Sequence, residues 1–265
     1  MSGTVHRIER HALPLTAAGA AGQAEVERSI LDDFLGDPIG RADSLGISMR
    51  GAQELLGYQI VAGAPASVLL GTARLAAQVG EALLRRAAAD EPVTVAIGGG
   101  TFRFAPTGPS PEAGPVEWAD AYYLASIAGE RDIARRLAGV PVAVLRQGGA
   151  SDDDVLFDRV HALQMSTTGE RFEPPRVEAS SSDYPVSVVV PEIEAIYALS
   201  TADALAFDAA LGRGLAGHRA FVEAEAREGD PTLWYALGFL ALTLEARRRE
   251  LPVVVESGYL PLDRF

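Results

Sequence analysis

Along most of this chain the apolar residues return every three or four positions, the period of an α-helix with one buried face. Gln23 to Leu35 carries Val26, Ile30, Phe34 and Leu35 at that spacing, with acids and Arg28 between them. Ala66 to Ala89 places Leu69, Ala73, Ala76, Gly80 and Leu83 on one stripe. Small residues on that stripe predict close helix–helix contact, and Arg85 and Arg86 suit a helix C-terminus. The longest uncharged run, Leu55 to Ala73, is just long enough to raise the question of a membrane span. Pro65 near its middle cannot continue a helix, so the run reads as two helices meeting at Gly63-Ala-Pro65.

The period changes once. Val93 to Ile97 and Thr101 to Phe104 are β-branched or alternating, and Gly98-Gly99-Gly100 between them predicts a β-hairpin. Pro106 to Pro115 is a loop by composition. Helical spacing resumes at Val116–Ala128 and Arg131–Ala138. Ser151 begins the next helix, with Asp154 three residues on in a capping-box pattern. Glu173 to Pro185 reads as a linker or surface loop. Further helices are expected at Pro191–Leu199, at Ala202–Ala226, and from Asp230-Pro231 through Trp234 to Arg247-Arg248-Arg249. Pro252 to Glu256 reads as one short strand. The fold class is therefore mainly α, a stack of antiparallel helices (an α-hairpin array) with a small hairpin near residues 93–104 and a short C-terminal strand. Residues 1–265 are expected to form a single helical domain, with a lobe boundary, if any, in the 173–185 loop.

The residues for catalysis do not assemble in sequence. Without cysteine there are no disulfides, thiolate metal sites or cysteine nucleophiles. Gly98-Gly-Gly-Thr101 lacks the Lys and helix of a phosphate loop, and no Gly-x-Ser-x-Gly elbow occurs. His6 and His11 lie five apart in a frayed-looking N-terminus, and His161 and His218 read as surface or capping groups on helices. Asp152-Asp153-Asp154 lacks the alternation and final Glu of a calcium loop, and acids there complement a helix dipole. Trp118, Tyr122, Tyr123, Trp234, Tyr235 and Phe239 read as core. No catalytic residue, cofactor or metal is expected, and the chain reads as a binding protein rather than an enzyme.

Charge narrows the partner. Net charge is −13 and every basic residue is Arg. Such a surface repels nucleic acid and steers a basic protein toward itself. The N-terminus lacks the basic and apolar regions of a secretory signal, so the cytoplasm is the expected location.

The C-terminus carries a more specific pattern. Gly229 to Leu242, ending in Ala236-Leu-Gly-Phe-Leu-Ala-Leu242, leads into Val254-Val-Glu-Ser-Gly-Tyr-Leu-Pro261. This resembles the end of the immunity protein 49 family, where an apolar helix of the form ALGPLALA leads into PVEVESEYLP. Ala105-Pro-Thr-Gly108, Trp118 to Leu124, Glu130-Arg-Asp-Ile133, Val140-Pro141 and Asp203 to His218 follow the same family's order. The resemblance covers roughly residues 90–263. It implies a largely helical protein that binds and neutralises a cognate bacterial toxin by stoichiometric occlusion, and it transfers no catalytic residues. Together with the charge, it points to a basic toxin acting on nucleic acid or nucleotides, and to no nucleic-acid or membrane partner for the chain itself. The oligomeric state is left open. The candidate partner-binding residues are the acids of loops and helix ends: Asp152, Asp153, Glu178, Asp183, Glu225, Glu228 and Asp230. A helical scaffold or adaptor that binds peptides in a groove is the alternative, and a hydrolase whose residues meet only in space is the third reading.

Overall fold

The computed structural model describes residues 7–148, 153–174, 185–224 and 226–265. In chain order they form β1 (Arg7–Ile8), α1 (Ala17–Gly36), α2 (Leu45–Ala62), α3 (Ala66–Ala88), β2 (Val93–Ile97) and β3 (Gly100–Phe104). There follow α4 (Pro115–Ala128), α5 (Arg131–Ala138), α6 (Val142–Gly148), α7 (Asp154–Thr168), α8 (Val190–Ser200), α9 (Ala204–Ala224), α10 (Leu237–Arg248) and β4 (Glu256–Ser257). Mainly α is the fold class, as the periodicity implies. Contacts divide the chain into two compact units, residues 15–152 with 264–265, and residues 1–14 with 153–263.

In the first unit α1 packs on α2, α2 on α3 and α3 on α4. The uncharged run breaks where Pro65 requires it: Gly63 takes the left-handed conformation (φ +77°) that closes α2, and Pro65 caps α3. Three residues between helices leave room only for an antiparallel return. Gly80 marks the closest approach, because an added Cβ would stand 2.6 Å from Ala121 Cβ on α4 and 2.7 Å from Met49 Sδ on α2. In β2–β3, Val93, Val95 and Ile97 point into the core while Thr94 and Ala96 are exposed, and Val93 pairs with Phe104. Glu81 is buried on α3 and accepts from Arg85 Nη1 (2.7 Å) and from Arg136 Nε on α5 (2.6 Å), which ties the two helices together. Arg86 is also buried and donates to the Ala42 carbonyl at 2.6 Å. The C-terminal arginines of α3 thus have specific partners beyond the helix dipole.

Two expectations in this unit change. The face of α1 read as buried is split: Phe34 is buried, but Val26 and Ile30 are exposed. Leu31 and Ala20, off the expected stripe, join Phe34 in the core. Finally, α6 follows Pro141 where no helix was expected, since seven residues are too few to show a period.

In the second unit α7 packs on α8 and α8 on α9, with a turn of π-helix (Pro185–Val189) leading into α8. Arg159 on α7 and Glu192 on α8 are both buried and joined by a 3.0 Å hydrogen bond. The loop read from Glu173 to Pro185 lies largely outside the described residues. The cap of α7 is Asp153, whose carboxylate accepts from Val155 N–H at 3.1 Å, whereas Ser151 lies outside the described residues. The helix expected from Asp230 to Arg249 is two pieces, a 3-10 turn at Pro231–Leu233 and α10. Trp234 Nε1 donates to the Glu228 carbonyl and Ala236 N–H donates to the Tyr259 carbonyl, and these bonds hold the chain off helical geometry between the pieces. The expected strand Pro252–Glu256 also shrinks, because only Glu256 and Ser257 pair, in parallel, with Arg7 and Ile8. The Val254 N–H goes instead to the Asp208 carboxylate at 3.1 Å.

Candidate functional site

A groove of about 610 Å³ opens in the first unit between α1, α3 and the β2–β3 turn. Leu31 and Leu35 of α1, Val68 and Leu75 of α3 and Leu55 of α2 give it apolar walls, and Arg28, Asp32 and Arg74 place charge along it. The turn is fixed by backbone chemistry. Gly98 and Gly99 both have positive φ, +58° and +88°, the combination that a two-residue hairpin needs and that side chains oppose. Gly98 N–H donates to Gln78 Oε1 at 3.0 Å, so this glycine's amide is held by α3 rather than offered to a phosphate. Around Gly71 an added Cβ would meet nothing within 4 Å, so the α3 wall has spare room. The groove has the shape and lining to seat apolar side chains or an extended peptide.

The second cluster lies in the second unit under the C-terminal tail. Tyr259 is fully buried, and its hydroxyl meets His11 Nδ1 at 2.7 Å and accepts from the His11 N–H at 3.4 Å. The ring of His218 stands edge-on to Tyr259, with centroids 4.8 Å apart, and its Nε2 meets the Leu233 carbonyl at 3.0 Å. Two expectations about histidine therefore fail. His218 is a core residue rather than a surface or capping group, and His11 is buried rather than part of a frayed end. The amphipathic pattern of α9 does not reveal a histidine whose partner is a tyrosine about forty residues on. Burial, above all, pushes His218 down to about 4, with His11 adding to the effect against the Leu233 bond. Burial also lowers His11, and Arg10 adds to it. Both rings are neutral at neutral pH and unsuited to binding an anion. Among the described residues no group of three metal-ligating side chains converges.

Of the seven acids expected to contact a partner, Asp152, Glu178, Asp183 and Glu225 lie outside the described residues. Asp153 caps α7, and Asp230 caps the 3-10 turn by accepting from Thr232 N–H at 3.0 Å and its hydroxyl at 2.7 Å. Glu228 is half-buried, with its carbonyl held by Trp234. The expected aromatic core is present: Trp118, Tyr123, Trp234, Tyr235 and Phe239 are buried, and Tyr122 is half-buried and stacked on Trp118 at 5.3 Å.

A family model described as immunity protein 49 matches residues 62–263. The chain belongs to the immunity protein 49 family. No curated protein and no solved structure matches it. The part shared with the immunity family runs from α3 through the tail, so it includes Tyr259 and His218. Helix α1 and all of α2 but its last residue precede the matched segment. In this chain the tail motif has a structural part: buried Tyr259 bonds to His11, and β4, whose Glu256 is exposed, pairs with Arg7 and Ile8.

Proposed function

We propose that this protein neutralises a cognate bacterial toxin by binding it in a stoichiometric complex, without catalysis. Membership of the immunity protein 49 family is the observation that carries this reading. The toxin is basic and acts on nucleic acid or nucleotides. A net charge of −13 on the immunity protein favours such a partner, and a complementary field speeds capture before the toxin acts. The protein acts in the cytoplasm and contacts neither nucleic acid nor membrane; among the described residues no helix is long and apolar enough to cross a bilayer. Asp152, Asp153, Glu178, Asp183, Glu225, Glu228 and Asp230 contribute to the acidic field that draws the toxin in.

Co-expression with the toxin domain encoded beside it, followed by size exclusion and calorimetry, is the test. A one-to-one complex together with rescue of growth is the expected result. A toxic neighbour that forms no complex would sink the proposal. It would leave an adaptor that holds a peptide in the groove between α1 and α3, the reading that groove favours.

A further inference from the structure

Four of the seven large aliphatic side chains exposed among the described residues belong to one helical hairpin. Val26 and Ile30 of α1 are 53% and 57% exposed, Ile39 in the connection is 53% exposed, and Ile47 of α2 is 71% exposed. Single exposed aliphatics are ordinary, but their concentration on one element is not. The register of the hairpin gathers them. Glu27 Oε2 would lie 3.6 Å from a Cβ at Gly51, so position 27 of α1 sits beside position 51 of α2. Ile30 and Ile47 are each about one turn from that contact, in the same direction along the antiparallel pair. Val26 is one turn from Ile30 on the same face.

The surroundings of the patch are acidic. Between residues 25 and 54 there are seven acids, Glu25, Glu27, Asp32, Asp33, Asp37, Asp43 and Glu54, against Arg28, Arg41 and Arg50, and of these Asp32 and Arg28 line the groove rather than the patch. Arg41 is bound to Asp33 at 2.6 Å and Arg50 to Glu54 at 3.1 Å, so two of the three arginines are engaged within the hairpin. The side chain of Asp43 is fully exposed, with its carboxylate 3.8 Å from the Arg86 guanidinium. An apolar centre with a charged rim is the anatomy of a protein–protein interface, and the sign of the rim specifies the partner. We infer that the outer face of the α1–α2 hairpin is where a basic protein partner docks, placing an apolar surface on Val26, Ile30 and Ile47 and lysines or arginines against the acids around them. This rests on the reading that the chain is an immunity protein, and the partner is then the toxin. Nearly all of this face precedes residue 62, ahead of what the family shares, which suits a surface that fits one particular toxin.

Ile30→Asp with Ile47→Asp is the informative double variant. It removes the apolar contact but adds acid, so electrostatic steering is kept and weaker binding reports the apolar contact itself. Binding to the cognate toxin domain is followed by surface plasmon resonance. The expected result is dissociation faster by about tenfold or more. Leu205→Ser, an 85% exposed aliphatic in the other unit, should dissociate as wild type does. A thermal melt of each variant checks folding, and Ile30→Thr with Ile47→Thr serves if the charged pair unfolds. Hydrogen exchange of the wild-type complex should slow across residues 26–54. Unchanged dissociation with a properly formed wild-type complex overturns this surface and leaves the immunity reading intact. If the wild-type protein does not bind the toxin, both fall together. If the free protein is a dimer that the double variant splits, the face belongs to a second copy and the inference is overturned.

Discussion

At the scale of single residues, the buried histidines make stability depend on pH. His218 has a pKa of about 4 in the folded protein, against 6.5 for an ordinary histidine. The unfolded chain therefore takes up a proton that the folded one refuses. The sign follows: the contribution is complete above pH 6.5 and is lost as pH falls from 6.5 toward 4. The loss amounts to about 3 kcal/mol at most. His11, lowered for the same main reason, acts in the same direction. His218→Gln keeps an N–H for the Leu233 carbonyl and removes the titration. Denaturant unfolding at a series of pH values should show a flatter decline for this variant than for wild type, and an equal slope would refute the assignment. Arg159 and Glu192 make a second residue-scale case. Glu192→Gln leaves the Arg159 cation buried and should cost about 3–5 kcal/mol, whereas replacing both by leucine and methionine should recover much of that loss. Equal instability of the single and double variants in urea melts would mean that the charge itself is not the problem. The apolar spacing of α7 and α8 does not announce this pair, because each residue sits among ordinary helical charges until the helices meet.

At the scale of elements, two glycines of α3 should respond with opposite signs. Gly71→Ala meets open space and gains helix propensity, so it should stabilise by about 0.5–1 kcal/mol. Gly80→Ala drives a methyl against Ala121 and Met49 and should destabilise by about 1–3 kcal/mol. Thermal melts of the two variants decide it, and shifts of the same sign would contradict the packing described for α3. This is also where the sequence was most legible. The small-residue stripe of α3, the Gly63–Pro65 break and the glycine turn after Ile97 each follow from local chemistry, and the structure has all three, although the turn is Gly98–Gly99 and Gly100 already belongs to β3. What sequence did not disclose depends on partners remote in the chain. The Trp234–Ala236 break is made by the Glu228 and Tyr259 carbonyls, and the tail's pairing is limited by Asp208. The inner face of α1 is chosen by α2, because α1 is apolar on two sides and periodicity alone cannot say which is buried.

At the scale of the whole molecule, the acidic field and the aliphatic patch should act on different rate constants. Charges spread over the surface alter the encounter rate and its salt dependence, whereas a desolvated contact alters dissociation. The acids singled out from the sequence include two with capping duties, so a crude test would confuse folding with steering. Asp153→Asn and Asp230→Asn avoid this, since asparagine caps a helix about as well as aspartate while removing the charge. The double variant should melt within a degree or so of wild type. Its association with a basic toxin should be slower at low salt by a factor of about two or three, converging on wild type as salt screens the field. Dissociation should be unchanged, in contrast to the Ile30 and Ile47 variants. Stopped-flow association at several ionic strengths measures this. If the Asn variant associates at the wild-type rate at every salt concentration, these two acids play no part in steering and serve the fold alone. If it changes dissociation instead, Asp153 or Asp230 lies within the contact itself, and the interface extends to the second unit.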